Sequence, residues 1–418
     1  MVFSLLGFAG GGGSSSDFGG GSSFSGGSSS DWGSSSDGDG EATWEGFLAS
    51  LAIMAIIGMP VFLIDKWTTK KAAREAKQAY NKRMSEMDAR DHNDTEQEKW
   101  IHKEAERIFV QYQQDWSDYD LKKIQAYTTD KYFQHACLML EAIDRMNRRN
   151  VVSDLSVTKT YLLTPMGEGW DLPATMQVMF RFGGTDSVVD TKSGRKIHSD
   201  KARGVEEYWN FVYDGKTLKL DGITQSTEST PHLIDSIKNF AEEHRLFYSP
   251  DWGRLALPTK GLIFDGWGLS SADVNNHVIG RWKDCLVQMY TYSATPAQPN
   301  SYYLVGQISL PKSYDGVIIE SKKAKLKVVK PEKYERFKLE WEDFNKRYVV
   351  YAAKKDALPA FELLNPAFMN KLYERNLPYN LEVRDNTIYI FAKAKETKEN
   401  DYRELFDVLS EAFEELRM

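Results

Sequence analysis

The spacing of hydrophobic residues changes character along the chain, and each change marks a different kind of element. Gly46 to Ile64 is one uncharged run of nineteen residues in which Ser50 is the sole polar side chain. As a helix it would be roughly 28 Å long, enough to cross a bilayer core. Gly46, Phe47, Leu51, Ile53, Ile57, Val61, Phe62 and Ile64 leave it no polar stripe of the kind a core helix shows. From Trp67 to about Ala89 the composition turns helical and polar, and Asp91–Asp94 interrupts it. Thr95 and Glu98 form a capping-box pattern that opens the next helix. There Ile101, Ala105, Ile108, Phe109, Tyr112 and Trp116 recur at three- and four-residue intervals, predicting one buried face. A short helix over Leu121–Tyr127 follows. A third covers Asp130–Met146, with Phe133, Cys137, Leu140 and Ile143 on its stripe.

After Asn150 the period becomes two. Val151–Leu163, Ala174–Phe182, Val205–Asp214 and Thr217–Thr224 read as strands, with Gly183-Gly184 at a strand end as a hairpin turn. Asp214-Gly215 supplies another tight turn. Helices first and an antiparallel meander next is an α+β pattern. From Pro231 onward a second unit is expected. Its strands are Leu262–Asp265, His277–Trp282, Leu286–Tyr292, Tyr302–Leu310, Gly316–Glu320, Lys325–Val329 and Arg347–Ala352. Then come a helix over Pro366–Arg375, strands Leu381–Val383 and Thr387–Ala392 turned by Asp385-Asn386, and a helix from Asn400 to Leu416. The expected division is 1–42 tail, 43–65 membrane helix, 66–94 basic linker, 95–226 first α+β domain and 231–418 second α+β domain.

Charge adds an orientation. No Lys or Arg precedes Lys66, and then Lys66, Lys70, Lys71, Arg74, Lys77, Lys82 and Arg83 follow closely. Trp44 and Trp67 bracket the apolar run where interfacial indoles sit. The positive-inside rule puts the chain after Ile64 in the cytoplasm and the Gly/Ser-rich tail outside. Lys66, Lys70 and Arg74 share a helix face, where they would meet anionic lipid headgroups. Gly10–Gly40 is nearly all Gly and Ser with four Asp, too polar to offset its ordering entropy. The net charge of −7 over 418 residues excludes a global attraction to nucleic acid. Two cysteines, Cys137 and Cys285, make no disulfide framework. The chain lacks an Arg-rich transit peptide, so a bacterial inner membrane is expected.

Chemical motifs are absent. There is no phosphate-binding loop, dinucleotide fingerprint, HExxH or nucleophile elbow, and no cofactor, metal site or catalytic residue is expected. His135 and Cys137, two apart on a helix, do not face each other. Asp120, Asp171 and His135 are the conceivable acid–base members. Met176, Val178 and Phe180 alternate onto one strand face, as do Trp209 and Phe211 on another. With Phe109, Trp116 and Tyr161 they form either a packed interior or an apolar pocket for a lipid tail or peptide segment.

Phe109, Gln113, Trp116, Asp120 and Leu121 resemble the opening motif of the Tim-forty-four-like domain family. The run from Val188 to Ile223, with Glu207, Tyr208, Trp209, Phe211 and Asp221, is similar to its later signature. The resemblance covers about Thr95–Gln225 and departs in a shortened link after Asn150. It implies a cone like that of nuclear transport factor two, helices wrapped on a curved antiparallel sheet, and a non-enzymatic role docking soluble machinery to a membrane. Leu363, Leu364, Pro366, Phe368 and Met369 are similar to the hallmark of a bacterial family of unknown function, over about Leu257–Glu415. The expectation is therefore a membrane-tethered scaffold holding a cytoplasmic protein partner, linked to protein translocation or membrane-protein assembly. The alternatives are binding of a lipid or apolar ligand in the cone, and an enzyme using an acid–base pair there.

Overall fold

The computed structural model describes residues 95–164, 171–224, 231–249, 255–258, 261–264, 272–294, 302–324, 333–353, 363–394 and 399–417, with scattered positions between 74 and 89. The run Gly46–Ile64 lies outside the described residues, as do Trp44, Lys66, Trp67, Lys70, Lys71 and the Gly/Ser tail. Among the described residues no helix is long and apolar enough to cross a membrane. The chain divides into two compact units, whose described residues lie between 74 and 89 in one and between 95 and 417 in the other. In the first, Arg74 is helical and exposed, and Lys82 pairs with Glu86 one turn on at 3.8 Å. The second is an α+β body.

Helix α1 spans Glu96–Asp118. Its start is the expected capping box: Glu98 N donates to Thr95 Oγ1 at 3.2 Å, and Thr95 N donates to Glu98 Oε2 at 2.9 Å. Ile101, Ala105, Ile108, Phe109, Tyr112 and Trp116 are its buried face, as the spacing predicts. Helix α2 (Leu121–Ala126) and helix α3 (Asp130–Arg145) follow. The stripe on α3 differs from expectation, because Phe133 and Cys137 are only half-buried. Instead α3 is buried on two sides. Tyr132 bonds to Tyr112 of α1, while His135 stacks on Phe247 and Glu141 pairs with Arg281. A helix packed on both flanks has no single stripe to read.

Strands β1 (Arg148–Leu162), β2 (Ala174–Asp190), β3 (Lys196–Tyr213) and β4 (Leu218–Thr224) form an antiparallel sheet in that order. Gly183-Gly184 is not a turn. The β2 strand runs through it to Asp190, with a register slip between Phe182 and Gly184. A Cβ on Gly183 would sit 3.1 Å from the Ala202 carbonyl, so the glycine admits a close backbone approach.

Helix α4 (Pro231–Glu243) and strand β5 (Phe247–Ser249) lead into a seven-stranded sheet. Its members are β5, β6 (Ala272–Trp282), β7 (Cys285–Ala294), β8 (Tyr302–Ser321), β9 (Tyr334–Phe337), β10 (Tyr348–Ala353) and β11 (Asn380–Ala394). Helices α5 (Glu342–Arg347), α6 (Pro366–Arg375) and α7 (Glu399–Arg417) complete this half. Two pairs of expected strands are each one strand. Tyr302–Leu310 and Gly316–Glu320 are both β8; Leu381–Val383 and Thr387–Ala392 are both β11. Asp385-Asn386 is therefore not a hairpin turn. It is a bulge, with Asp385 at φ 53° and register slips on both sides, that lets β11 follow β8 along its length. Leu262–Phe264 is a turn rather than a strand, and Lys325–Val329 lies outside the described residues.

The seven-stranded sheet is buried on both faces, which explains runs such as LVQMYTY. Val278, Val287, Met289, Leu304, Ile308 and Ile390 share a core with α4, α6 and α7. Residues of opposite parity, including Ile279, Leu286, Tyr290, Tyr292, Val305, Tyr389 and Phe391, join the core of the four-stranded sheet.

Candidate functional site

The inner face of the four-stranded sheet is set by strand alternation. Met176 pairs with Phe211, Val178 with Trp209 and Phe180 with Glu207. Helix α1 lays Phe109, Tyr112 and Trp116 over them. The Phe109 ring is 4.5 Å from Phe180, 4.9 Å from Phe182 and 4.9 Å from Trp209. Tyr112 meets Trp209 edge-on at 5.4 Å. Phe109, Trp116, Met176, Val178, Phe180, Trp209 and Phe211 thus come together, each at most 2% exposed. Tyr161 does not join them. Its neighbour Leu162 pairs with the inward Val178, so Tyr161 and its partner Met179 face the opposite side, with the Lys159 ammonium 5.8 Å from the Tyr161 ring centre.

Buried polar groups run through this interior. Trp116 Nε1 donates to Asn150 Oδ1 at 3.0 Å, and Asn150 Nδ2 donates to Asp186 Oδ1. Trp209 Nε1 donates to Glu207 Oε2 at 3.0 Å. Asp186 and Glu207 are buried, and among the described residues neither has an Arg or Lys partner. Burial pushes the Glu207 carboxyl up to about 7, against the smaller opposing effect of its bond from Trp209. Burial also holds Asp186 well above the usual carboxylate range, with the negative charges of Glu207 and Asp200 adding to it. The Tyr112 and Tyr132 hydroxyls bond to each other at 3.1 Å. In an open cavity such groups could exchange protons with a ligand; here Phe109, Trp116 and Trp209 close them off.

The conceivable acid–base residues are not assembled. Asp120 caps α2 and pairs with Lys123 at 3.0 Å, Asp171 is exposed, and His135 stacks on Phe247 with ring centres 5.3 Å apart. Glu207 was legible as an inward group, since it alternates with Trp209 and Phe211. Asp186 carried no such signal, because it lies beyond the expected end of its strand. Among the described residues no cluster of three His, Cys, Asp or Glu could hold a metal ion.

A second polar region lies where α3 meets the seven-stranded sheet. His277 Nε2 and Gln288 Oε1 are 3.0 Å apart, and Tyr290 donates to Gln307 Oε1 at 2.9 Å. Burial pushes His277 down to about 4 and His135 to about 3, the latter helped by the positive charges of His277 and Lys131 when protonated. Arg148 is 1% exposed, and its Nη1 donates to the carbonyls of Leu255 at 3.2 Å and Leu257 at 2.5 Å. Among the described residues its Nη2 has no partner, and burial lowers its pKa to about 10. Beside it a cavity of about 180 Å³ is lined by the end of α3 and by β7, β8 and β11.

Fold and site together define an α+β protein with a closed aromatic core and a small polar cavity between the end of α3 and the seven-stranded sheet. Residues 304–417 match the family described as "Protein of unknown function (DUF3137)", so the carboxyl-terminal part of the chain carries a domain of unknown function. No curated protein matches the chain. A crystal structure of the mycobacterial trehalose monomycolate transport factor A, TtfA, is similar at 14% identity and a TM-score of 0.35, over 45% of this chain and 96% of that one.

Proposed function

We propose that this chain is a membrane-tethered docking protein. Gly46–Ile64 crosses the inner membrane once, the basic residues from Lys66 to Arg74 sit at its cytoplasmic surface, and Thr95–Met418 holds a cytoplasmic protein partner without catalysing a reaction. The observation that carries the reading is the closed interior. The rings expected to line an apolar pocket, Tyr161 excepted, pack together and are shut to solvent, which favours recognition by an outer surface over ligand handling inside. Three helices followed by a four-stranded antiparallel sheet also support the Tim-forty-four-like resemblance over Thr95–Gln225. Tethering raises the local concentration of the two partners, so docking does not need a tight contact.

The test is crosslinking in intact bacterial cells followed by detergent extraction and purification of the full chain. One partner should be recovered reproducibly, and protease added outside the cells should leave the carboxyl-terminal part uncut. Recovery of the chain alone, or digestion from outside, would overturn the proposal.

A further inference from the structure

Strand β3 is longer than the strand beside it. Strand β4 pairs only with Tyr208–Tyr213, so among the described residues the outer edge of β3 from Lys196 to Val205 has no partner strand. Along such an edge alternate residues turn a backbone N–H and C=O outward, where another chain can pair with them. The opposite edge of this sheet, on β1, is a poorer template. Asp154 there has φ 53°, and the register with β2 slips between Ser153 and Ser156 and again between Val157 and Lys159. Strand β3 keeps an unbroken register with β2 from His198 to Ala202, about 16 Å of strand.

Charge decides what can add there. Lys192 and Arg195 stand at the turn between β2 and β3, and Lys196, Lys201 and Arg203 lie along the open edge; all are exposed. Among the described residues none of these cations makes an ion pair. The acids of the same ribbon are engaged elsewhere. Asp190 accepts from the N and Oγ of Ser193, both at 2.7 Å, and Asp154 accepts from Thr185 at 3.0 Å. Glu206 faces Arg181 at 3.9 Å, and Asp200 is half-buried opposite Asp186. Lysines on an edge repel basic chains and force an apolar strand to bury charge, which guards against aggregation. They admit an acidic strand, whose carboxylates pair with them across the ladder. The stretch from Gly183 to Glu207 has no Phe, Tyr or Trp to stack a nucleic-acid base, and a lipid headgroup has no backbone to offer the open edge.

We infer that the edge of β3 from Lys196 to Val205 is a docking site for an extended acidic segment of a partner protein, which adds to the four-stranded sheet as a further strand. Backbone bonds make the attachment, and Lys196, Lys201 and Arg203 select for carboxylates. The inference rests on the docking role proposed above and names its surface and the chemistry of its partner.

The full chain in detergent is titrated against a fluorescein-labelled peptide of alternating Glu and Val, with binding read by anisotropy. Saturable binding is expected, weakening as salt rises, and none is expected with a peptide of alternating Lys and Val. Combining K201E with R203E should weaken it by about tenfold or more. Both side chains are exposed, so the fold should tolerate the change. Two readouts use the unmodified chain. Amides of residues 199–202 should slow in hydrogen exchange when the Glu and Val peptide is added. The same peptide with every amide N-methylated keeps its charge but cannot donate to the ladder, and should not bind. Absence of saturable binding, equal binding by the double variant, or unchanged exchange at 199–202 would each overturn the inference. Equal binding of the methylated peptide or of a uridine oligonucleotide would overturn it too, because charge attraction alone would then suffice. Crosslinking in cells separates this surface from the docking role. A partner recovered in full from the double variant overturns the surface alone, whereas no partner from the wild-type chain removes the docking role itself.

Discussion

Replacing Glu207 by Gln should change how stability depends on pH more than it changes stability at acid pH. Glu207 is fully buried, and its pKa rises from 4.5 to about 7 in the folded protein. The folded state therefore holds its proton more tightly than the unfolded chain. The favourable contribution is complete below pH 4.5, declines as pH rises, and is gone by pH 7. A shift of about 2.5 pH units at 1.36 kcal/mol each corresponds to roughly 3 kcal/mol. Gln keeps the shape and can still accept from Trp209 Nε1, but it never ionises. Denaturant unfolding of wild type and E207Q from pH 4.5 to 8 gives the difference curve. His135 and His277 resist protonation and so pull wild-type stability down as pH falls below 6.5, the opposite slope. They act alike in both proteins and cancel in the difference. E207Q should gain on wild type steadily up to about pH 7, by roughly 3 kcal/mol in total. Parallel curves would refute the reasoning, because they would mean that the carboxyl is solvated in the folded state.

Phe109→Ala should cost about 3–5 kcal/mol in urea unfolding, since the ring sits among Phe180, Phe182 and Trp209 at 4.5–4.9 Å. Arg148→Met should destabilise by about 2 kcal/mol, because two buried carbonyls lose their donor, and Arg148→Lys should recover part of that; the denaturation midpoint measures both. Gly280→Ala should cost about 1–3 kcal/mol, as the new methyl would press on Leu246, whose Cα lies 3.2 Å from the ideal Cβ position. A thermal melt with no shift would mean that the β6 backbone and Leu246 separate freely.

Elements with one buried face were legible in the sequence. The α1 stripe and its capping box are where periodicity puts them, and so are α6 and the turn at Asp214-Gly215. Elements buried on two faces were not. Helix α3 shows a misplaced stripe, and β8 and β11 were each split in two where a bulge imitates a turn. Local residue types at Asp385-Asn386 and Gly183-Gly184 favour turns, but pairing along a long neighbour carries both strands through them. The aromatic residues between α1 and the four-stranded sheet were recognisable from alternation, Tyr161 excepted, whose parity depends on the slips in register between β1 and β2. The cavity between the end of α3 and the seven-stranded sheet could not be read at all. It is assembled from residues 142–147, 258, 286–288, 307–309 and 384–389, which no local pattern connects.

Helix α3 serves two masters. One flank gives Tyr132 to α1 and the other gives His135 and Glu141 to the neighbouring sheet. A gene fragment encoding only the front half of the body would expose an oily flank to water and yield a product prone to clumping. In this lineage, then, the halves on either side of Pro231 are expected to be inherited, or lost, as a pair.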